Sequence, residues 1–137
     1  MTQPAIDAET TFFGGRFIKV LVTGGTGFVG SHTVVALLES GHQIKLFARS
    51  NDRVKSTFES LGITLSRIEF EIGDITDSNA VEKAVQGVDA VIHAAAVYTM
   101  SRKRSGEIRR VNTDGTRTVL DAAYRTCLLY TSPSPRD

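Results

Sequence analysis

Residues Thr23 to Gly30 read TGGTGFVG, with glycines at 24, 27 and 30, and Phe17 to Val22 just before them read FIKVLV. FIKVLV is a short β-branched run that stops at Thr23 and Gly24, as a buried strand does. Beyond the glycines, GFVGSHTVVALLES places Phe28, Val35 and Leu38 at helical spacing, with Val34 and Leu37 beside them, and ends at Gly41. That pattern describes a helix with a glycine C-cap. Glycine-rich turns are common, so the context decides: this one joins a buried strand to a helix at the first crossover. Gly24 permits the tight turn, Gly27 lets backbone approach a pyrophosphate, and Gly30 lets the helix sit close to the sheet. With Thr26 in the turn, the N–H groups of the first helical turn, Phe28 and Val29 included, would face the anion.

The same alternation continues outward. QIKLFA, from Gln43, reads as a second strand, and Asp52 to Leu61 as a weaker helix with Val54, Phe58 and Leu61 on one face. SRIEFEIGD alternates Ile68, Phe70 and Ile72 as a third strand. Asp77 or Ser78 then caps a helix that packs Val81, Ala84 and Val85 and ends at Gly87. DAVIHAAA is a fourth strand with a small, apolar end. A last helix is predicted over about Glu107 to Arg125, with Ile108, Val111, Gly115, Val119 and Ala122 on one side. Strands alternating with helices imply βαβ units. The expected class is α/β: a Rossmann-type parallel sheet with helices on both faces, truncated after about four strands.

Composition narrows the function. The chain has 137 residues, 41% hydrophobic and 23% charged, the content of one globular domain or part of one. Sixteen Lys and Arg against 15 Asp and Glu leave a net charge of +1, no general reason to expect nucleic acid or an anionic membrane as partner. The single cysteine, Cys127, excludes disulfide frameworks and cysteine-rich metal sites. No apolar run approaches the roughly 20 residues that span a bilayer. MTQPAIDAET at the start has neither the basic opening nor the apolar core of a secretory signal, so a cytoplasmic location is expected. Residues 1–16 read as a flexible leader, 17–126 as a partial nucleotide-binding domain, and 127–137 as a separate tail. That tail, CLLYTSPSPRD, resembles an in-frame translation of a sequencing-library adapter and is expected to be non-biological.

TGGTGFVG resembles the TGxxGxxG motif of the extended short-chain dehydrogenase/reductase family, which includes NAD-dependent epimerase/dehydratases, dihydroflavonol reductase-like enzymes and hydroxysteroid dehydrogenases. Further matches follow in the family's order: GDITD at Gly73–Asp77, HAAA at His93–Ala96 and VNTDGTRTVLDAA at Val111–Ala123. The resemblance covers Phe17 to Arg125 and implies NAD(P) as cofactor. NAD-selective members carry an acidic residue at the end of the second strand, where this chain has Arg49. A cation there suits a 2′-phosphate, so NADP is the expected preference, with Ser50, Arg53 or Lys55 as helpers. Asp52 leaves NAD open, and a solvated Arg49 is the plain alternative.

By the same resemblance Asp74 accepts a hydrogen bond from the adenine amino group, or else caps a turn, and Ile75 lies along the base. Ala94, Ala95 and Ala96 leave room for the cofactor, or else are small for packing alone, and Asn112 ties its helix to the neighbouring strand, or else is an exposed residue with no such task. His93 reads as a packed or capping histidine with no proton-transfer role. Thr113 and Thr116 read as helix surface or packing. Arg102, Lys103, Arg104, Arg109 and Arg110 read as a wet loop and helix face, and Tyr98 as a contact to substrate.

The family's chemistry uses a Tyr with a Lys four positions on. Here Tyr98 is followed by Arg102 and Tyr124 by Leu128, so no catalytic residue is assigned and the chain alone is expected to be inactive. Three readings of the parent protein stand: an oxidoreductase moving hydride between NADP(H) and a carbonyl or alcohol of a small substrate; an NAD-dependent sugar-nucleotide epimerase or dehydratase; a non-catalytic NAD(P) sensor.

Overall fold

A computed structural model describes residues 17–95, 105–126 and 129–131. Ala96, Tyr98, Arg102, Lys103, Arg104 and the leader lie outside the described residues. The order is β1 (Lys19–Thr23), α1 (Phe28–Glu39), β2 (Gln43–Ala48), α2 (Asn51–Ser60), β3 (Ile68–Ile72), α3 (Ser78–Ala84) and β4 (Ala90–His93). Then come α4 (Ser105–Arg109), a π-helical segment (Arg110–Gly115), α5 (Thr116–Thr126) and β5 (Leu129–Thr131). The strands pair in parallel in the order β3-β2-β1-β4-β5. The α/β class, the parallel sheet and the helices on both faces are as expected.

Two features differ from the sequence reading. Where about four strands were expected, Leu129–Thr131 add a fifth, β5, whose Leu129 and Thr131 pair with Ala90 and Ile92 of β4. A strand edge offers unpaired N–H and C=O groups, and a chain returning from a helix meets them in the parallel sense. The last helix is also not uniform. It begins at Ser105 and widens into a π turn at Arg110–Gly115 before resuming as α5.

Local chemistry explains the element ends. Gly41, at φ +92°, closes α1 as a Schellman motif, with its N–H on the Leu38 carbonyl and that of His42 on the Leu37 carbonyl. Ser50 caps α2 by accepting from the Arg53 N–H at 3.3 Å. Of the two caps open for α3, Asp77 serves, accepting from the N–H groups of Asn79 and Ala80.

The sheet is buried from both sides because β1 is apolar at every central position. Val20 and Val22 pack with Val34, Leu38, Val54 and Phe58 under α1 and α2. Leu21 and Val91 face the other way, onto Val81, Val85 and Val119 of the α3/α5 layer. On β3 the alternation puts Ile68 and Phe70 against the core. Glu69 and Glu71 on the opposite face pair with Lys19 at 3.0 Å and Lys45 at 3.1 Å respectively. Hydrogen bonding from Lys19, with both lysine charges, holds the Glu69 carboxyl below its ordinary range.

From β1 the chain steps through β2 to β3, then crosses back to place β4 on the other side of β1. Such a reversal opens a crevice at the carboxyl ends of the two central strands, where open α/β sheets bind ligands.

Candidate functional site

A cavity of about 380 Å³ occupies that crevice. Gly24, Thr26 and Gly27 line it from the β1–α1 loop. Phe47, Ala48, Arg49, Ser50 and Arg53 line it from β2 and the start of α2. Gly73, Ile75, Ala94, Ala95 and Val111 complete the wall.

The glycine loop is built from backbone. Gly24 has φ +74°, and a Cβ on it would lie 2.5 Å from the carbonyl carbon of Ala94 and the nitrogen of Ala95. A Cβ on Gly30 would lie 2.0 Å from the Gly24 carbonyl oxygen. Gly30 is thus demanded by the loop itself, whereas the sequence reading assigned it to helix–sheet packing. Gly27 is different: a Cβ there would meet only the Gly24 oxygen, at 3.4 Å. Gly27 also starts α1 with no side-chain cap, and no acidic residue stands in the first turn. Since the Ser31 N–H makes the bond back to the Gly27 carbonyl, the N–H groups of Phe28, Val29 and Gly30 have no intrahelical acceptor.

Beneath the loop lies a chain of three side chains. His93 is buried, with Nδ1 2.6 Å from the Thr23 hydroxyl and Nε2 2.9 Å from the Thr116 hydroxyl. Thr23 Oγ1 also accepts from the Ala95 N–H at 3.3 Å, and its carbonyl accepts from the Ala94 N–H at 3.0 Å. Burial holds the His93 imidazole below the ordinary histidine range. The packed histidine read from sequence is therefore a bridge between β1, β4 and the start of α5. Thr116, read as surface or packing, is its far anchor.

The loop after β3 is held by side chains. Asp74 Oδ1 accepts from the Thr76 N–H at 2.9 Å and from the Thr76 hydroxyl at 2.7 Å. Arg110 donates to Thr76 Oγ1 at 2.6 Å and pairs with Asp74 Oδ2 at 3.4 Å. The Thr76 hydrogen bonds, backbone first, and then the Arg110 charge keep the Asp74 carboxyl below its usual range. Arg110 was read as part of a wet face; it is half-exposed but engaged, because the π turn brings it over the β3–α3 loop.

Of the residues singled out in the sequence, the cavity brings together Gly24, Thr26, Gly27, Arg49, Ile75, Ala94 and Ala95, with Ser50 and Arg53 beside them. Lys55 is not in the lining, nor are Phe28, Val29 and Gly30, which stand at the adjoining helix start. Asp74 turns one oxygen into its own loop. Asn112 sits half-buried in the π segment while its neighbour Val111 lines the cavity. Sequence reasoning missed Phe47, Ala48, Gly73 and Val111, although their places at strand ends and in the VNTDGT motif were a usable signal. Among the described residues there is no cluster of metal-ligand side chains, and no helix is long and apolar enough to cross a membrane.

A dinucleotide needs a backbone cradle for its diphosphate, an apolar wall for a base and space at the strand ends. Gly27 with the uncapped start of α1, the Ile75–Val111 wall and the small Ala94 and Ala95 supply all three in turn, so the residues fit the group. Residues 21–134 match the sequence pattern of the 3-beta hydroxysteroid dehydrogenase/isomerase family. The chain belongs to this family. Its place among extended short-chain dehydrogenase/reductases agrees with the four motifs. It is 38% identical over 125 residues to 3 beta-hydroxysteroid dehydrogenase/Delta 5-->4-isomerase of Mycobacterium tuberculosis, a match covering 87% of this chain and 31% of that protein. It is 44% identical over 82 residues to UDP-glucose 4-epimerase of Neisseria meningitidis serogroup B, covering 58% of this chain and 24% of that protein. Among solved structures, a short-chain dehydrogenase/reductase superfamily protein from Agrobacterium tumefaciens with bound NAD superposes with a TM-score of 0.67 at 28% identity, covering 83% of this chain and 31% of that one. The chain thus spans about a third of the length of such family members.

Proposed function

We propose that this chain is the NAD(P)-binding part of a cytoplasmic oxidoreductase that moves hydride between NADP(H) and a carbonyl or alcohol carbon of a small substrate. The observation that carries the reading is the crevice between β1 and β4, where a glycine turn, an uncapped helix start and two arginines meet around one cavity. When bound, the dinucleotide supplies the hydride acceptor or donor. The chain's own residues bind and orient. Gly24, Thr26 and Gly27 shape the cradle, and the N–H groups of Phe28, Val29 and Gly30 donate to the diphosphate. Arg49 and Arg53 pair with a 2′-phosphate. Asp74 offers its outer oxygen to the base amino group and Ile75 lies along the base. Ala94 and Ala95 keep the strand end open, and Asn112 ties the π segment beside it.

The sequence holds no Tyr with a Lys four positions on, so the chain alone is proposed to bind cofactor without turnover. A second reading, an NAD-dependent epimerase or dehydratase, is favoured by the 44% identity to UDP-glucose 4-epimerase and by Asp52 in the first turn of α2.

Titrating the chain while following reduced-nicotinamide fluorescence separates the two. NADPH is expected to bind at least about tenfold tighter than NADH, a difference of about 1.4 kcal/mol, and Arg49→Glu to reverse the order. Preference for NADH in the unsubstituted chain supports the second reading, and absence of saturable binding to either coenzyme defeats both.

A further inference from the structure

The contact that the proposed function leaves unused is the grip of the π segment on the β3–α3 loop. Arg110 Nη1 donates to Thr76 Oγ1 at 2.6 Å, and the Thr76 hydroxyl spends its one proton on Asp74 Oδ1 at 2.7 Å. The Thr76 N–H, at 2.9 Å, fills the same oxygen. Oδ1 is therefore turned into the loop and saturated. Among the described residues Oδ2 has only the long 3.4 Å approach of Arg110 and keeps acceptor capacity. In such a chain each donor polarises the next, so the guanidinium acts on Asp74 through Thr76 as well as directly. A second grip lies at the other end of the π segment. A Cβ on Gly115 would stand 2.7 Å from Ile75 Cγ2, so backbone packs onto that side chain with no room to spare. Asp74 is flanked by Gly73 and Ile75, both of which line the cavity, and Val111, next to Arg110, lines it too.

We infer that Arg110 is a positioning residue for the base-binding end of the cavity: by fixing Asp74 through Thr76 it makes the site select a purine that carries an exocyclic amino group. The inference rests on the dinucleotide reading above and deepens it. An ionised carboxylate accepts hydrogen bonds and cannot donate them, so a fixed Oδ2 favours an amino group over a carbonyl at the same ring position. Asp74 and Arg110 are both close to half exposed, and an exposed ion pair adds little to stability. The effect of Arg110 therefore falls on ligand choice and hardly on folding.

The test compares the affinity of the full chain for NADPH with that for its hypoxanthine analogue, in which a ring carbonyl replaces the amino group. The unsubstituted chain should favour NADPH by about tenfold, the worth of one hydrogen bond to a charged group. Arg110→Gln should bring that ratio close to one, and Arg110→Lys should restore part of it. Thr76→Val, which removes the relaying hydroxyl and keeps the shape, should lower the ratio independently and guards against a misfolded Arg110 variant. Equal weakening of both ligands by Arg110→Gln, with the ratio intact, marks a merely structural role and overturns the inference. So does an unsubstituted chain that binds both ligands equally, which leaves dinucleotide binding standing. Binding of neither ligand overturns the dinucleotide reading and this inference together.

Discussion

The Thr23–Gly30 loop and the Gly73–Asp77 loop wall the same cavity, the first with backbone and the second with side chains. In the first, shape follows from missing Cβ atoms: Gly24 and Gly30 sit where a methyl would strike backbone at 2.5 Å and 2.0 Å. In the second, shape follows from hydrogen bonds among Asp74, Thr76 and Arg110, all partly open to water. A wall made by exclusion is rigid and indifferent to pH and salt. A wall made by charge-assisted hydrogen bonds adapts, weakens with salt and titrates. Together they suit a ligand with a featureless charged middle and a chemically particular end.

The largest effect should come from the excluded positions. Gly24→Ala combines a left-handed backbone with a clash against Ala94 and Ala95, a cost of about 2–5 kcal/mol in all. Gly87 provides the control. It has φ +79°, but a Cβ there meets nothing within 4 Å, so Gly87→Ala should cost only the torsional part, about 1–2 kcal/mol. Urea midpoints of the two variants measure the difference. Equal midpoints would show that the close approach to β4 contributes nothing and that the first loop is no more rigid than any surface turn.

Next comes the bridge under the first loop. His93→Ala strands the Thr23 and Thr116 hydroxyls and leaves a cavity, a loss of about 2–4 kcal/mol. The pH dependence has a definite sign. Burial lowers the folded-state pKa of His93 below its model-compound value of 6.5. The unfolded chain therefore binds more protons as pH falls through 6.5, and stability present above that value declines below it. His42, also lowered by burial, acts in the same sense. Asp74 is depressed as a carboxylate, so its contribution is present above the unfolded carboxyl range and lost as pH falls through its folded value. Its exposure keeps that contribution small. Unfolding measured from about pH 8 to 5 should show the decline begin near the ordinary histidine pKa, with His93→Ala flattening part of it. An unchanged slope in that variant would assign the pH response to other groups.

The contrast between the loops also explains what could be read in advance. Gly24, Gly27 and Gly30, the Asp77 cap and the strand–helix alternation are local, because each depends on residues within a turn or two of itself. Arg49 and Ile75 were placed by the family resemblance, and the parallel sheet gathers the strand ends that carry them at one edge. Arg110 was missed since its partner Thr76 is 34 positions away and on the other side of a crossover. The Thr23–His93 pair, 70 positions apart, was hidden in the same way, although both residues were noted. The π turn had no signature in VNTDGT. Its register is set by Gly115 against Ile75, a packing fact that exists only once the sheet is formed.

The smallest effect on folding, and the sharpest on function, belongs to Gly27→Ala. Gly27 has φ −82° and ψ 174°, which alanine adopts without strain, and its nearest Cβ neighbour is 3.4 Å away. Alanine is a poorer N-cap than glycine but costs less chain entropy on folding, and the two offset to within about 0.5 kcal/mol. The urea midpoint should therefore stay where it is. Gly27 nevertheless lines the cavity, so an added methyl competes for the space proposed for the diphosphate and should weaken NADPH by about tenfold or more. A midpoint and an affinity that both stay constant would mean that the diphosphate does not rest on this turn. A shifted midpoint would mean that Gly27, like its two companions, serves the fold before it serves a ligand.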